Sequence, residues 1–240
     1  MSSRLLLLST STVHGSGYLD YCADDVADFL KPVPHVLFIP YARPSGISHA
    51  EYTKRARERF GTMGVELTGI DQAADARSAV REAAALFIGG GNTFLLLREL
   101  YTAGLLEIIR QRVAGGMPYM GASAGSNVAG LTIGTTNDMP IVWPPSSDAL
   151  GLVPFNINPH YVDPDPESTH MGETRETRIK EFHLVNRQPV IGLREGAWLR
   201  IEADAVHLEG AAGARLFRQG ISPADFEFDS RLDFLLETNR

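Results

Sequence analysis

The first half of this chain repeats one unit: a short apolar run, closed by glycine or proline, alternating with a helical pattern. Leu5–Ser9, Val36–Ile39, Val65–Gly69 and Ala85–Ile88 are such runs. Helical patterns cover Tyr18–Leu30, Ala50–Phe60, Ala76–Ala84, Asn92–Leu100 and Leu105–Val113. Short unbroken apolar runs bounded by turn residues fit strands buried on both faces. Strands alternating with helices over short connections predict the α/β class, a mostly parallel sheet flanked by helices. The 240 residues are expected to form a single domain, 1–240. In sheets of this kind ligands bind at the carboxyl ends of the strands.

The middle of the chain changes character. Thr135–Glu173 holds Pro140, Pro144, Pro145, Pro154, Pro159, Pro164 and Pro166 among Asp, Asn and Ser. It reads as a long loop region with one or two short strands, and long loops on rigid scaffolds tend to carry function. A helix over Glu173–Leu184 follows, then short strands near Val190–Leu193, Trp198–Glu202, Ala205–Leu208 and Arg215–Phe217, expected to pair antiparallel. Phe226–Asp229 has no assigned state.

Composition removes several functions. A net charge of −7 argues against nucleic acid or an anionic membrane as partner. The lone Cys22 excludes an internal disulfide and a cysteine zinc cluster, and reads as a buried structural thiol. The leucine run after Arg4 is too short for a signal segment and no stretch suits a membrane span, so a cytoplasmic protein is expected. His160, Asp163, Asp165, Glu167 and His170 are close in sequence, but prolines interrupt them and they match no metal-ligand spacing. No metal and no cofactor are expected.

The chemistry is carried by Gly121-Ala122-Ser123-Ala124-Gly125. An apolar stretch, Gly116–Met120, precedes it and the small-residue helical stretch Val128–Gly130 follows. Gly-x-Ser-x-Gly at a strand-to-helix turn is a nucleophile elbow: the sharp turn lifts the serine hydroxyl clear of the sheet, and only glycine allows the close approach on either side. Ser123 is the candidate nucleophile. The N–H of Ala124, at the helix start, is a candidate oxyanion donor. A second run, Gly89-Gly90-Gly91-Asn92-Thr93, also ends a strand and opens a helix, and offers another set of N–H groups beside the first. It lacks dinucleotide and Walker spacings; its plain reading is a helix start capped by Asn92 or Thr93.

A serine needs a base, and the base needs an orienting group. Of the seven histidines, His160 stands out, because it closes the alternating segment Phe155–Pro159 and is stiffened by the preceding proline. Two acids are open as its partner: Asp138, in Thr135–Pro140, and Glu195, which follows the apolar strand Val190–Leu193 and precedes Gly196. With Glu195 the order is Ser–His–Glu, unlike the Ser–acid–His order of α/β-hydrolases.

Several segments together resemble the peptidase E, or aspartyl dipeptidase, family of serine peptidases. They are Leu5–Ser9, Phe38–Pro40, Gly89–Phe94, Gly121–Gly125, Thr135–Val142, Ile157–His160, Gly172–Arg175 and Ile191–Gly196. The chain departs from that pattern at Arg194, where a proline is expected, and in a slightly longer loop after His160. The resemblance implies a fold akin to class I glutamine amidotransferases and flavodoxin-like sheets. It implies peptide substrates with an N-terminal aspartate, Ser123 as nucleophile and His160 as base. It favours Glu195 over Asp138 as the orienting acid, leaves Asp138 to support the site or bind the substrate amine, and makes the N–H groups of Gly91 and Ala124 the oxyanion donors. Arg175 is implied as the cation for the aspartate side chain, since arginine binds carboxylates in a two-pronged geometry. A cyanophycinase-like hydrolase of β-aspartyl peptides, or a non-catalytic binding protein, are the alternatives on the same scaffold. Monomer and homodimer are both open.

Overall fold

The computed structural model describes residues 3–167, 169 and 171–237. Its elements run β1 (Arg4–Leu8), α1 (Ala23–Leu30), β2 (His35–Ile39), α2 (His49–Thr62), β3 (Glu66–Gly69), α3 (Ala76–Glu82), β4 (Ala85–Ile88), α4 (Thr93–Thr102), α5 (Leu106–Ala114) and β5 (Tyr119–Ala122). They continue with α6 (Ala124–Asn127), β6 (Asn156–Tyr161), α7 (Arg175–Phe182), β7 (Val190–Arg194), β8 (Ala197–Glu202), β9 (Ala205–Gly210), β10 (Ala214–Arg218), β11 (Ile221–Phe226) and β12 (Ser230–Arg231).

The larger sheet has the order β12-β9-β8-β1-β5-β4-β2-β3. Its β1, β5, β4, β2 and β3 pair parallel, while β8, β9 and β12 add antiparallel at one side. The apolar runs become this parallel core: Leu5, Leu6, Leu7 and Leu8 are all fully buried, as are Ala85, Phe87 and Ile88. One face packs Leu5, Leu7, Ile88 and Leu199 against α4, α5 and the second sheet. The other packs Leu6, Leu8, Phe38 and Phe87 against α1 and α2. This is the α/β arrangement with antiparallel strands toward the C-terminus. The late strands, however, divide between two sheets: β11-β10-β7-β6 form a separate four-stranded sheet in which β6 and β7 pair parallel.

The local structure refines these readings. The helix expected over Tyr18–Leu30 begins at Ala23, because Leu19 has φ +57° and the Asp20 carboxylate accepts from the Gly17 N–H, closing a turn instead. The Pro-rich middle holds one strand, β6, and a single bridge between Thr132 and Asp148. β6 runs on past Pro159, and its asparagines are buried rather than turned to water: Asn156 bonds Thr132 and Asn158 bonds Thr135 O. The segment before Phe226 is β11, an edge strand that tolerates Pro223 because an edge leaves some N–H positions unused.

Among the described residues no helix is long and apolar enough to cross a membrane. Cys22 is buried, and burial pushes its thiol up to about 12.

Candidate active site

The register places Gly121 of β5 beside Ile88 of β4, so the elbow and the triple-glycine run emerge at the same edge of the sheet. Ser123 takes φ +53° and ψ −111°, a conformation an L-residue seldom adopts. Both flanking glycines are required by contact. A β-carbon at Gly121 would lie 2.5 Å from Gly125 O, and one at Gly125 would run into Ile88 O. The turn is anchored from below: Ser123 N–H donates to Leu8 O at 3.0 Å, and the Ser126 hydroxyl binds Leu8 O at 2.6 Å and Gly121 O at 2.8 Å. Opposite stands Gly90, where a β-carbon would come within 3.1 Å of Ser123 Cβ.

The histidine arrives from the second sheet. The β6–β7 register slips between Asn158 and Tyr161, and His160 sits in this bulge with φ +52°. A bulge beside a functional group commonly re-aims one side chain. Two contacts pin it. The His160 N–H donates to the buried Ser9 hydroxyl at 2.9 Å, which itself donates to Leu193 O at 2.8 Å, and Asn137 Nδ2 donates to Pro159 O at 2.8 Å. The imidazole then bridges two partners: Nε2 lies 2.9 Å from Ser123 Oγ, and Nδ1 lies 2.6 Å from Glu195 Oε1. Glu195 reaches it from the turn after β7.

Asp138 goes elsewhere. Its Oδ2 accepts from the Thr93 N–H at 2.7 Å and the Thr93 hydroxyl at 2.6 Å, at the start of α4. Asn92 caps the same helix through Leu95 N–H, so the plain helix-start reading of this segment is also true. Most donors of the glycine run are tied to neighbouring segments. Gly89 N–H goes to Ile39 O, Gly90 N–H to Tyr52 Oη and Asn92 N–H to Ala42 O. Among the described residues the Gly91 and Ala124 N–H groups have no acceptor. Gly91 has φ +147°, and a β-carbon there would strike Ala42 O.

Arg175 opens α7, after the Thr174 cap. It is half-buried, and its Nη1 is enclosed with no hydrogen-bond partner among the described residues. Burial and then Arg178 pull its pKa below the usual arginine value, against the opposing pull of Glu195 and Asp138. It stays a cation, as arginine does in proteins. Those two carboxylates act on it through their charge without forming an ion pair.

Three supports are only faintly marked in the sequence, if at all. Ser9 is a polar residue closing an apolar run, which is the one local hint of its buried role. Tyr52 is an aromatic on a helix face like any other. Arg194, met as a departure from a family pattern, grips Asp163 at 2.7 and 2.9 Å and Asp225 at 2.6 Å. Arg215 reaches both Asp225 and Glu176, the residue after Arg175. The Arg194 contact holds the Asp163 carboxyl below the usual carboxylate range. His170 lies outside the described residues; among the described residues no group of three or more His, Cys, Asp or Glu side chains gathers as a metal site.

The family model for peptidase family S51 matches residues 5–209, which includes Ser123, His160, Glu195, Asp138 and Arg175. The chain belongs to peptidase family S51. It is 52% identical over 234 residues to a protein of Streptomyces coelicolor named Peptidase E, covering 98% of this chain and 95% of that one. It is 46% identical over 237 residues to a Drosophila melanogaster protein named Probable alpha-aspartyl dipeptidase, covering 98% of each. The crystal structure of a peptidase from an acI-B1 Actinobacterium superposes with a TM-score of 0.72 over 97% of both chains at 17% identity, which supports the fold.

Proposed function

We propose that this serine-type peptidase hydrolyses the peptide bond after an N-terminal aspartate, in Asp-X dipeptides and short peptides. The observation that carries the substrate reading is the half-buried Arg175, whose enclosed Nη1 has no hydrogen-bond partner among the described residues and which feels the charge of Glu195, the partner of His160. An enclosed cation without a partner is costly unless a ligand supplies the anion, and a carboxylate suits its two-pronged donor face. The names Peptidase E and Probable alpha-aspartyl dipeptidase, borne by relatives that match nearly the whole chain, support the same substrate.

In the proposed mechanism Glu195 accepts from His160 Nδ1–H, which leaves Nε2 free to take the Ser123 proton. Oγ attacks the aspartyl carbonyl, and the carbonyl oxygen becomes an oxyanion held by the N–H groups of Gly91 and Ala124, neither of which has an acceptor among the described residues. His160 passes its proton to the leaving amine. Water, activated by the same imidazole, then releases aspartate from Ser123. Arg175 binds the aspartate side chain throughout. Asp138 holds the start of α4, and with it the glycine run, in place, and remains the nearby acid for the substrate amine. The scheme uses side chains and backbone N–H groups alone, within one α/β peptidase domain, 1–240. A cytoplasmic location suits its lone, buried cysteine.

The test is hydrolysis of Asp-Leu, with Leu-Leu and β-Asp-Leu as controls, by the unaltered enzyme and by Ser123→Ala. Selective cleavage of Asp-Leu, lost in the variant, is expected. Cleavage of β-Asp-Leu alone would shift the assignment to an isoaspartyl substrate, and no cleavage by folded protein would refute the peptidase reading.

A further inference from the structure

The direction of the Gly91 N–H is not fixed by Gly91 itself. At φ +147° a glycine has wide rotational freedom, and its N–H donates to nothing among the described residues. Its aim is set by the peptides on either side. On the far side the Asn92 N–H is tied to Ala42 O at 2.7 Å. On the near side the tie is a side chain: the Gly90 N–H donates to Tyr52 Oη at 3.0 Å, a bond buried at both ends.

Tyr52 is built as a rigid post for that bond. It is fully buried on α2. Phe38 packs edge-on to its ring at 5.0 Å and 88°, Tyr18 does so at 6.2 Å and 72°, and the Arg43 guanidinium lies 4.7 Å over its face. The hydroxyl is pressed against the run so closely that a β-carbon on Gly89 would sit 2.7 Å from it. A β-carbon on Gly90 would in turn lie 3.1 Å from Ser123 Cβ. The post stands on the face of the larger sheet that carries Phe38 and Phe87, while the second sheet, which bears His160, packs with the opposite face.

We infer that Tyr52 is a positioning residue for the reaction: its hydroxyl locks the Gly89–Gly91 run so that the Gly91 N–H points at the oxyanion. The inference rests on the reading of Gly91 as an oxyanion donor. Tyr52 touches no substrate. Its effect is confined to the tetrahedral stage, so its loss lowers kcat and leaves ground-state binding alone.

The experiment compares unaltered enzyme with Tyr52→Phe, which keeps the ring packing and removes only the acceptor. Three quantities are read: kcat and KM on Asp-Leu, the affinity for an aspartyl aldehyde that forms a tetrahedral adduct, and the affinity for free aspartate. Deleting an oxyanion donor costs ~100- to 1,000-fold in kcat, and mis-aiming one should cost less, about 10- to 100-fold. The expected result is a fall of that size in kcat and in aldehyde affinity together, with KM and aspartate affinity within about twofold. A folded Tyr52→Phe enzyme with unchanged kcat and aldehyde affinity would overturn the inference, as would a parallel loss of aspartate affinity. If the unaltered enzyme binds the aldehyde no more tightly than aspartate, the oxyanion reading itself fails. Amide exchange in the unaltered protein gives a second check that needs no variant. Gly90 N–H should exchange slowly throughout, and Gly91 N–H quickly until the aldehyde binds. Fast exchange at Gly90 would also overturn the inference.

Discussion

The two walls of the cleft are made of different materials. On the serine side, Gly89–Gly91 and Gly121–Ala124 are held by backbone bonds, close contacts and the buried hydroxyls of Tyr52 and Ser126, in a parallel sheet with nearly no exposure. On the arginine side, a web of charged side chains across β7, β10, β11 and the loop after β6 reaches Glu176, the residue after Arg175, with Asp163 and Asp225 about half exposed. Surface ion pairs contribute little stability each and are screened by salt. Backbone ties in a packed sheet are neither. The serine wall is therefore stiff and intolerant of substitution, and the arginine wall can change its charges without disturbing the chemistry. If Arg175 selects the substrate, as proposed, such a division lets an enzyme alter what it accepts without altering what it does.

The largest test of this division asks which acid serves His160. Glu195→Gln keeps the shape but removes the charge that favours the imidazolium, and kcat is expected to fall ~10³-fold, somewhat less than for a buried triad acid because Glu195 is half exposed. Asp138→Asn should lose far less activity and instead lower Tm, since it weakens bonds to Thr93 worth about 1–2 kcal/mol at the helix start. Steady-state kinetics and thermal melts on both variants decide it. A larger kcat loss in Asp138→Asn would exchange their roles.

These two walls also differ in how far they can be read from sequence. The parallel core and the elbow are written in local pattern: four consecutive leucines, and glycines spaced so that a serine can be raised between them. What brings His160 to Ser123 is not local. Ser9 and His160 meet across 151 positions, and Tyr52 and Gly90 across 38. Each is a single hydroxyl whose role depends on where distant strands come to rest. The same holds for Asn156 and Asn158, which alternate with apolar residues as if facing water and are buried against the loop before them. Antiparallel pairing of the late strands was legible, but their division between two sheets was not, because short alternating strands carry no label for which sheet they join.

On the arginine wall the next effect is on selectivity. Arg175→Ala should leave the fold and the rate on Leu-Leu in place, and reduce kcat/KM on Asp-Leu about 100-fold, the order of a lost charged hydrogen bond. Persisting preference for aspartate would remove Arg175 from the role. A smaller effect is expected at Arg194. Arg194→Met frees Asp163 and Asp225 and loosens the web around Glu176, so KM for Asp-Leu should rise a few-fold with kcat unchanged. The unaltered enzyme should show part of that rise in high salt, whereas Arg194→Met should not. Equal salt sensitivity in both would show that the web does not position Arg175.

The smallest effect should appear on the stiff wall, and in the opposite direction. Ser123 is held at φ +53° and ψ −111°, which for an L-residue costs ~1–3 kcal/mol. Glycine takes that conformation without strain, but returns ~0.5–1 kcal/mol through the extra freedom of the unfolded chain. Ser123→Gly should therefore abolish turnover and yet raise stability by about 1 kcal/mol, or roughly 2–4 °C in Tm for a chain of this size. Ser123→Ala retains the β-carbon and the strain, so its Tm should stay near that of the unaltered enzyme. If both variants melt alike, the elbow stores no strain at Ser123, and the rigidity of the serine wall comes from its contacts alone.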